Sequence, residues 1–220
     1  MTETPRSAAR KILLDLYDRA SKNLGRRPSE TEFFPVDVEE IVSMIGWQIR
    51  QISNLTERGE PLAGRVNFEQ KTLYVESEDA GPRRSFTVAH EIGHIVLRHT
   101  CTVAFRPSNP HSVLRPHTIG TPSRSTKLQE RQANAFAAEL LMPERAVRRE
   151  FQKRFGCDEL GIGSLRAQTI ISNLQTRGED LAADLAVIKY PSPTVTSLVE
   201  FFRVSQIAMG RRLIELSLIY

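Results

Sequence analysis

The chain's apolar and polar positions follow two periods. Residues 7–24 place Ile12, Leu13, Leu16 and Ala20 at helical spacing, with Asp15 and Asp18 on the polar side, so an amphipathic helix is expected. "GRRPSETEFF" reads as a loop. "PVDVEEIVSMIG" then opens on a proline and early acids and closes on a glycine, the marks of a short helix. "WQIRQIS" has strand character, and "GRVNFEQKTLYVES" reads as two short strands joined by a turn at "EQK". The breaker "DAGPRR" precedes "FTVAHEIGHIVLRHT", Phe86 to Thr100. Its apolar residues Phe86, Val88, Ala89, Ile92, Ile95, Val96 and Leu97 surround nearly the whole helix, which implies burial.

Residues 101–124 hold four prolines and no period, and read as a loop. A helix is expected from about Thr126 to Leu141, with Thr126 and Gln129 placed as a capping box. Pro143 opens another, "PERAVRREFQKRF", and "SLRAQTIISNL" is also helical in pattern. The tail gives two helices, Val195–Phe202 and Gln206–Leu216, separated near "RVS". No internal repeat or low-complexity tract interrupts this order.

Composition narrows the class. The chain has 220 residues, 40% hydrophobic and 25% charged, enough for a sizeable core and too apolar for disorder. A formal charge of +4, with basic residues spread along the chain, permits nucleic-acid contact without arguing for it. Cys101 and Cys157 form no CxxC pair and no disulfide framework, which fits a reduced, cytoplasmic setting. No apolar run approaches the ~18 residues of a membrane span.

Histidine is scarce, five in all, yet His90 and His94 lie four apart in the most apolar helix with Glu91 beside them. Residues four apart share a helix face, so both imidazoles can aim at one point; this HExxH spacing suits two ligands of a zinc ion. Glu91 is rotated by about 100° from His90 and leans beside the metal, where it can take a proton from water activated there. A buried carboxylate with no partner would be costly, and a metal centre resolves that cost. Gly93, within the motif, weakens the helix and implies a packing reason.

Catalytic zinc takes three protein ligands and keeps an open position. In "LQERQANAFAAELLMP", Glu130, Asn134, Ala137 and Leu141 share one inward-facing side, so Glu130 is the candidate third ligand. Asn134 can accept a hydrogen bond from a ligand histidine and fix its tautomer. Glu139 is the rival, about 180° away on an ideal helix.

"RRSFTVAHEIGHIVLRH" followed by "ERQANAFAAELLMP" resembles the ImmA/IrrE family of zinc metallopeptidases. The likeness extends upstream to "PVDVEEIVSMIG" and the strand ending "KTLYV", and downstream to "LVEFFRVSQIAMGRRLIELSLI". The resemblance implies that His90 and His94 are histidine ligands, Glu91 the general base and Glu130 the glutamate ligand. Around the metal the family is similar to thermolysin-type zincins, in which the residue four after the glutamate ligand is often acidic; here it is Asn134. The expected fold is α+β, a mostly helical zincin-like core with a small antiparallel or mixed sheet over residues 1–155. A helical region follows over 156–220, with a helix-turn-helix-like hairpin at about 195–217.

Other residues fill out the expectation. His99 reads as a helix-end cap or surface residue. His111 and His117 lie on the 101–124 loop, which is a candidate lid, and His117 is a candidate oxyanion stabiliser. "KTLYV", with Thr72, Leu73 and Tyr74, is expected as an edge strand that pairs with an extended substrate. The tail hairpin offers only Gln206, Arg211 and Arg212 as polar recognition residues, so DNA reading is not favoured.

The resulting expectation is a cytoplasmic zinc metalloendopeptidase. The resemblance implies a helix-turn-helix repressor as its protein substrate, cleaved to release stress-response or mobile-element genes. The alternatives are a DNA- or protein-binding regulator with a zincin core, and the toxin of a toxin–antitoxin pair.

Overall fold

A computed structural model describes residues 3–57, 60–99, 124–161, 163–165, 169–170 and 181–220. The chain divides into two units, Met1–Leu141 and Met142–Tyr220.

The first unit opens with α1 (Pro5–Leu24), capped by Thr4, whose side chain accepts from the Ser7 N–H, and closed by Gly25 in the left-handed conformation. A short α2 (Glu30–Phe33) lies inside the stretch expected to be loop. There Ser29 and Glu32 form a reciprocal capping box, the signal that reading missed. Asp37 caps α3 (Val38–Met44) by accepting from Glu39 and Glu40 N–H groups.

Strands β1 (Gln48–Ile52), β4 (Gly64–Asn67) and β5 (Thr72–Glu76) form a mixed sheet in the order β1-β5-β4. β1 runs parallel to β5, and β4 antiparallel to it, while β2 (Thr56–Glu57) and β3 (Glu60–Pro61) pair separately. The expected edge strand is therefore the central one. Leu73 and Val75 are 0% exposed, and β5 is paired on both sides. Its shortness suggested an edge, but the crossover that brings β1 alongside leaves no local trace in the sequence.

Helix α4 (Gly81–Val96) packs on β4 and β5 and is buried without a break from Phe86 to His94. It lies against α5 (Arg124–Leu141), which also packs on α1. The α4–α5 approach depends on Gly93. A β-carbon there would stand 3.1 Å from Ala133 Cα and 3.2 Å from the Ala133 carbonyl oxygen, close enough that α5 would have to give by a few tenths of an ångström.

The second unit contains α6 (Glu144–Phe155), α7 (Leu181–Val187), α8 (Leu198–Phe202) and α9 (Gln206–Glu215). Helix α6, expected with the residues before 155, belongs here. Its Arg154 pairs with Glu150 and donates to the Thr196 carbonyl. In α9, Gly210 abuts the backbone of Ala183, with only 2.7 Å between the site of a β-carbon and the Ala183 nitrogen. The tail hairpin turns through Arg203 in the left-handed conformation, and Ser205 caps α9. Arg212 is buried and donates to the Met142 carbonyl and to Glu215, and Gln206 donates to Asp184. These polar groups are spent inside the unit.

Candidate metal centre

His90, His94 and Glu130 meet in one buried place. His90 and His94 lie one turn apart on α4 with their rings edge to face, and their Nε2 atoms are 3.0 Å from each other. Glu130 comes from α5, with Oε2 3.4 Å from His90 Nε2 and Oε1 3.3 Å from His94 Nε2. Zinc ligands at about 2.0–2.1 Å in tetrahedral array lie roughly 3.3 Å apart, so this spacing fits a single ion. The two carboxylate oxygens are buried with no hydrogen-bond partner, although the imidazole nitrogens are near. The three groups share one centre.

Charge points the same way. Burial alone would raise the Glu130 carboxyl, but the two imidazoles override it and hold it down at about 2. Burial opposes protonation of His90, yet Glu130, Glu91 and Asn134 push its pKa up, whereas burial pulls His94 down. An anionic carboxylate facing two imidazoles favours positive charge at their common point, which a divalent cation supplies.

Glu91 lies beside this centre, wholly buried, with neither carboxylate oxygen partnered. Burial pushes it up to about 8, His90 pulls against that shift, and Glu130 adds to it. On its other side is the edge strand β4, where a β-carbon at Gly64 would stand 3.0 Å from Glu91 Oε1.

Among the surrounding groups, Asn134 Oδ1 lies 2.9 Å from His90 Nδ1. Glu139 is not at the centre; it is buried and paired with Arg10 at 2.7 Å. His99, expected as a cap or surface residue, is only 6% exposed, with Nδ1 3.0 Å from His94 Nδ1 and Nε2 3.1 Å from Gln132 Oε1. The inward turn of His99 and its contact with Gln132 were not expected from the sequence, whose only hints were that Gln132 closely follows Glu130 and His99 follows the motif.

The β5 residues do not line a binding edge. Thr72 bonds the Gln70 carbonyl, Leu73 is core, and the Tyr74 hydroxyl meets Gln70 Oε1 at 2.8 Å beneath Arg65. His111, His117, Cys101, the loop 101–123 and the side chain of Thr126 lie outside the described residues.

The family model of the IrrE N-terminal-like domain, Peptidase_M78, matches residues 53–213, which takes in α4, α5 and all three ligand candidates. The chain belongs to the Peptidase_M78 family. No curated relative matches this family member. Among solved structures, it is similar to a Mycobacterium tuberculosis transcriptional regulator at 16% identity, with a TM-score of 0.37. That likeness covers 69% of this chain, which spans 45% of the other's length. No helix among the described residues is long and apolar enough to cross a membrane.

Proposed function

We propose that this chain is a zinc-dependent endopeptidase acting on an extended segment of a protein. The observation that carries the reading is the buried convergence of His90, His94 and Glu130 beside an unpartnered Glu91. The donor set fits zinc, since two imidazoles and a carboxylate are a familiar catalytic set for that metal. His90 Nε2, His94 Nε2 and a Glu130 oxygen would hold the ion. When bound, zinc supplies Lewis acidity, lowering the pKa of water and polarising a carbonyl oxygen.

The chain's own residues do the rest. Glu91 accepts a proton from the attacking water as its oxygen bonds to the carbonyl carbon. It then returns that proton to the amide nitrogen as the C–N bond breaks, which releases an amine and a carboxylic acid, and the acid's proton passes on to the amine. A site cation offsets the burial that raises Glu91, bringing its pKa toward the working pH, as a base that must also act as an acid requires.

Substrate is proposed to pair with β4, not β5. Glu76 N–H bonds the Ala63 carbonyl, so by antiparallel alternation the Gly64 and Val66 backbone groups point away from β5. No strand occupies that side among the described residues. A chain added there would run past Glu91, which abuts Gly64. The proposed substrate class is a helix-turn-helix repressor, cut in an exposed linker. In support of cleavage over direct DNA reading, Arg212 and Gln206 are committed within their own unit.

The test is incubation of the zinc-loaded protein with the repressor encoded beside its gene, followed by mass spectrometry of the products. Wild-type protein should yield two fragments and Glu91→Gln none. Equal cleavage by both would sink the reading.

A further inference from the structure

We propose that His99 and Gln132 are positioning residues for the metal centre, and that they set the tautomer of His94. This rests on the metal-site reading above.

The direction of the hydrogen bonds follows from one end. Gln132 Oε1 can only accept, so at 3.1 Å the proton belongs to His99 Nε2. A neutral His99 then has a lone pair on Nδ1. His94 Nδ1, 3.0 Å away, must donate to it. With its proton on Nδ1, His94 keeps an Nε2 lone pair aimed at the centre it shares with Glu130. Asn134 Oδ1 does the same for His90 through Nδ1. Two chains of different make, one amide acting directly and one amide acting through an imidazole, thus leave both Nε2 atoms as ligands. The reverse orientation of the His94 chain would put a proton on His94 Nε2 and block the site.

The backbone explains how His99 gets there. Helix α4 ends at Val96 with Leu97 as its C-cap, and Arg98 adopts the left-handed conformation, φ 55°. The chain doubles back, and the His99 N–H closes on the His94 carbonyl at 3.0 Å. That backbone bond already caps the helix, so capping does not require an imidazole. The ring is nevertheless buried, and both its nitrogens are engaged with His94 and Gln132. A ring present only for packing would carry two polar atoms into the interior for no return.

The experiment compares His99→Asn with His99→Leu. Asn places an acceptor oxygen where His99 Nδ1 stands, while Leu fills similar space without one. Zinc affinity, measured by competition with a chromogenic chelator, should fall about 10–100-fold in His99→Leu and stay within about threefold of wild type in His99→Asn. Affinity unchanged in His99→Leu, or lost equally in both variants at equal thermal stability, overturns the proposal. Imidazole nitrogen NMR of the zinc-loaded wild type gives an answer independent of either variant. It should find the protons on His94 Nδ1 and His99 Nε2; a proton on His99 Nδ1 overturns the relay. If wild-type protein binds no zinc, it is the metal-site reading that fails.

Discussion

Gly64 on β4 leaves no room for a side chain beside Glu91. A β-carbon there would stand 3.0 Å from Glu91 Oε1, 3.1 Å from its Cγ and 2.8 Å from Thr87 Cγ2. Thr87 and Glu91 lie one turn apart on α4, so the strand backbone is the wall against which the Glu91 carboxylate is held. Gly64→Ala should move Glu91 by a fraction of an ångström without touching a ligand. The expected result is unchanged zinc content with kcat down about 10–100-fold, since small displacements of a reacting group are costly. Metal analysis and steady-state kinetics on one preparation decide it.

Glu91 also makes the metal-free protein pH-sensitive. Its folded pKa, about 8, lies above the ordinary 4.5. The folded state thus keeps a proton that the unfolded chain has released. The resulting stability is complete below about pH 4.5 and is lost as pH rises through about 8. Glu130 shifts the other way and loses its contribution only as pH falls toward about 2. In chelator-treated samples, the Tm of wild type should therefore drop more than that of Glu91→Gln between about pH 5 and pH 8.5. Parallel curves for the two proteins would show that Glu91 is not buried as described.

The two buried glutamates of α5 should separate cleanly. Glu130→Ala should remove most bound zinc, because it takes one of the three proposed ligands. Glu139→Ala should keep the zinc and cost about 1–2 kcal/mol of stability, since its partner Arg10 is half exposed and can be rehydrated. Zinc stoichiometry and urea denaturation of both variants provide the comparison, and zinc loss from Glu139→Ala alone would reverse the assignment.

Proline substitution distinguishes the two neighbouring strands. Leu73→Pro strikes the fully buried centre of the sheet and should unfold the first unit or destabilise it by more than about 3 kcal/mol. Val66→Pro removes an N–H that points away from β5 but also trims a buried side chain, so some stability is lost while the β4–β5 ladder and the zinc should persist. Cleavage by that variant should show a KM raised several-fold, if substrate pairs with this edge. Wild-type KM for Val66→Pro would remove β4 from the binding model.

The sequence made the centre legible because its information is local. His90, Glu91 and His94 need only one helix and the four-residue spacing, and Glu130 and Asn134 need only a second helix with an inward face. Gly93 was legible as an anomaly, and its reason proved to be the close approach of Ala133. What stayed hidden depends on distant pairing or on backbone sign. β5 reads the same whether β1 lies beside it or not. His99 turns inward because Arg98 takes a positive φ, which an arginine does not announce. The boundary of the first unit was equally obscure, because α6 follows α5 after a single proline with no change in composition.

The three candidate ligands also lie unevenly along the chain. His90 and His94 are adjacent on α4, whereas Glu130 stands far downstream on α5. An ion held by all three is therefore a cross-link between two distant points of the polypeptide. Covalent bridges closing loops of such length restrict the unfolded ensemble by roughly 3–4 kcal/mol, and a coordinate bridge acts by the same restriction for as long as it holds. Unlike a disulfide, such a fastening would be reversible and set by metal supply.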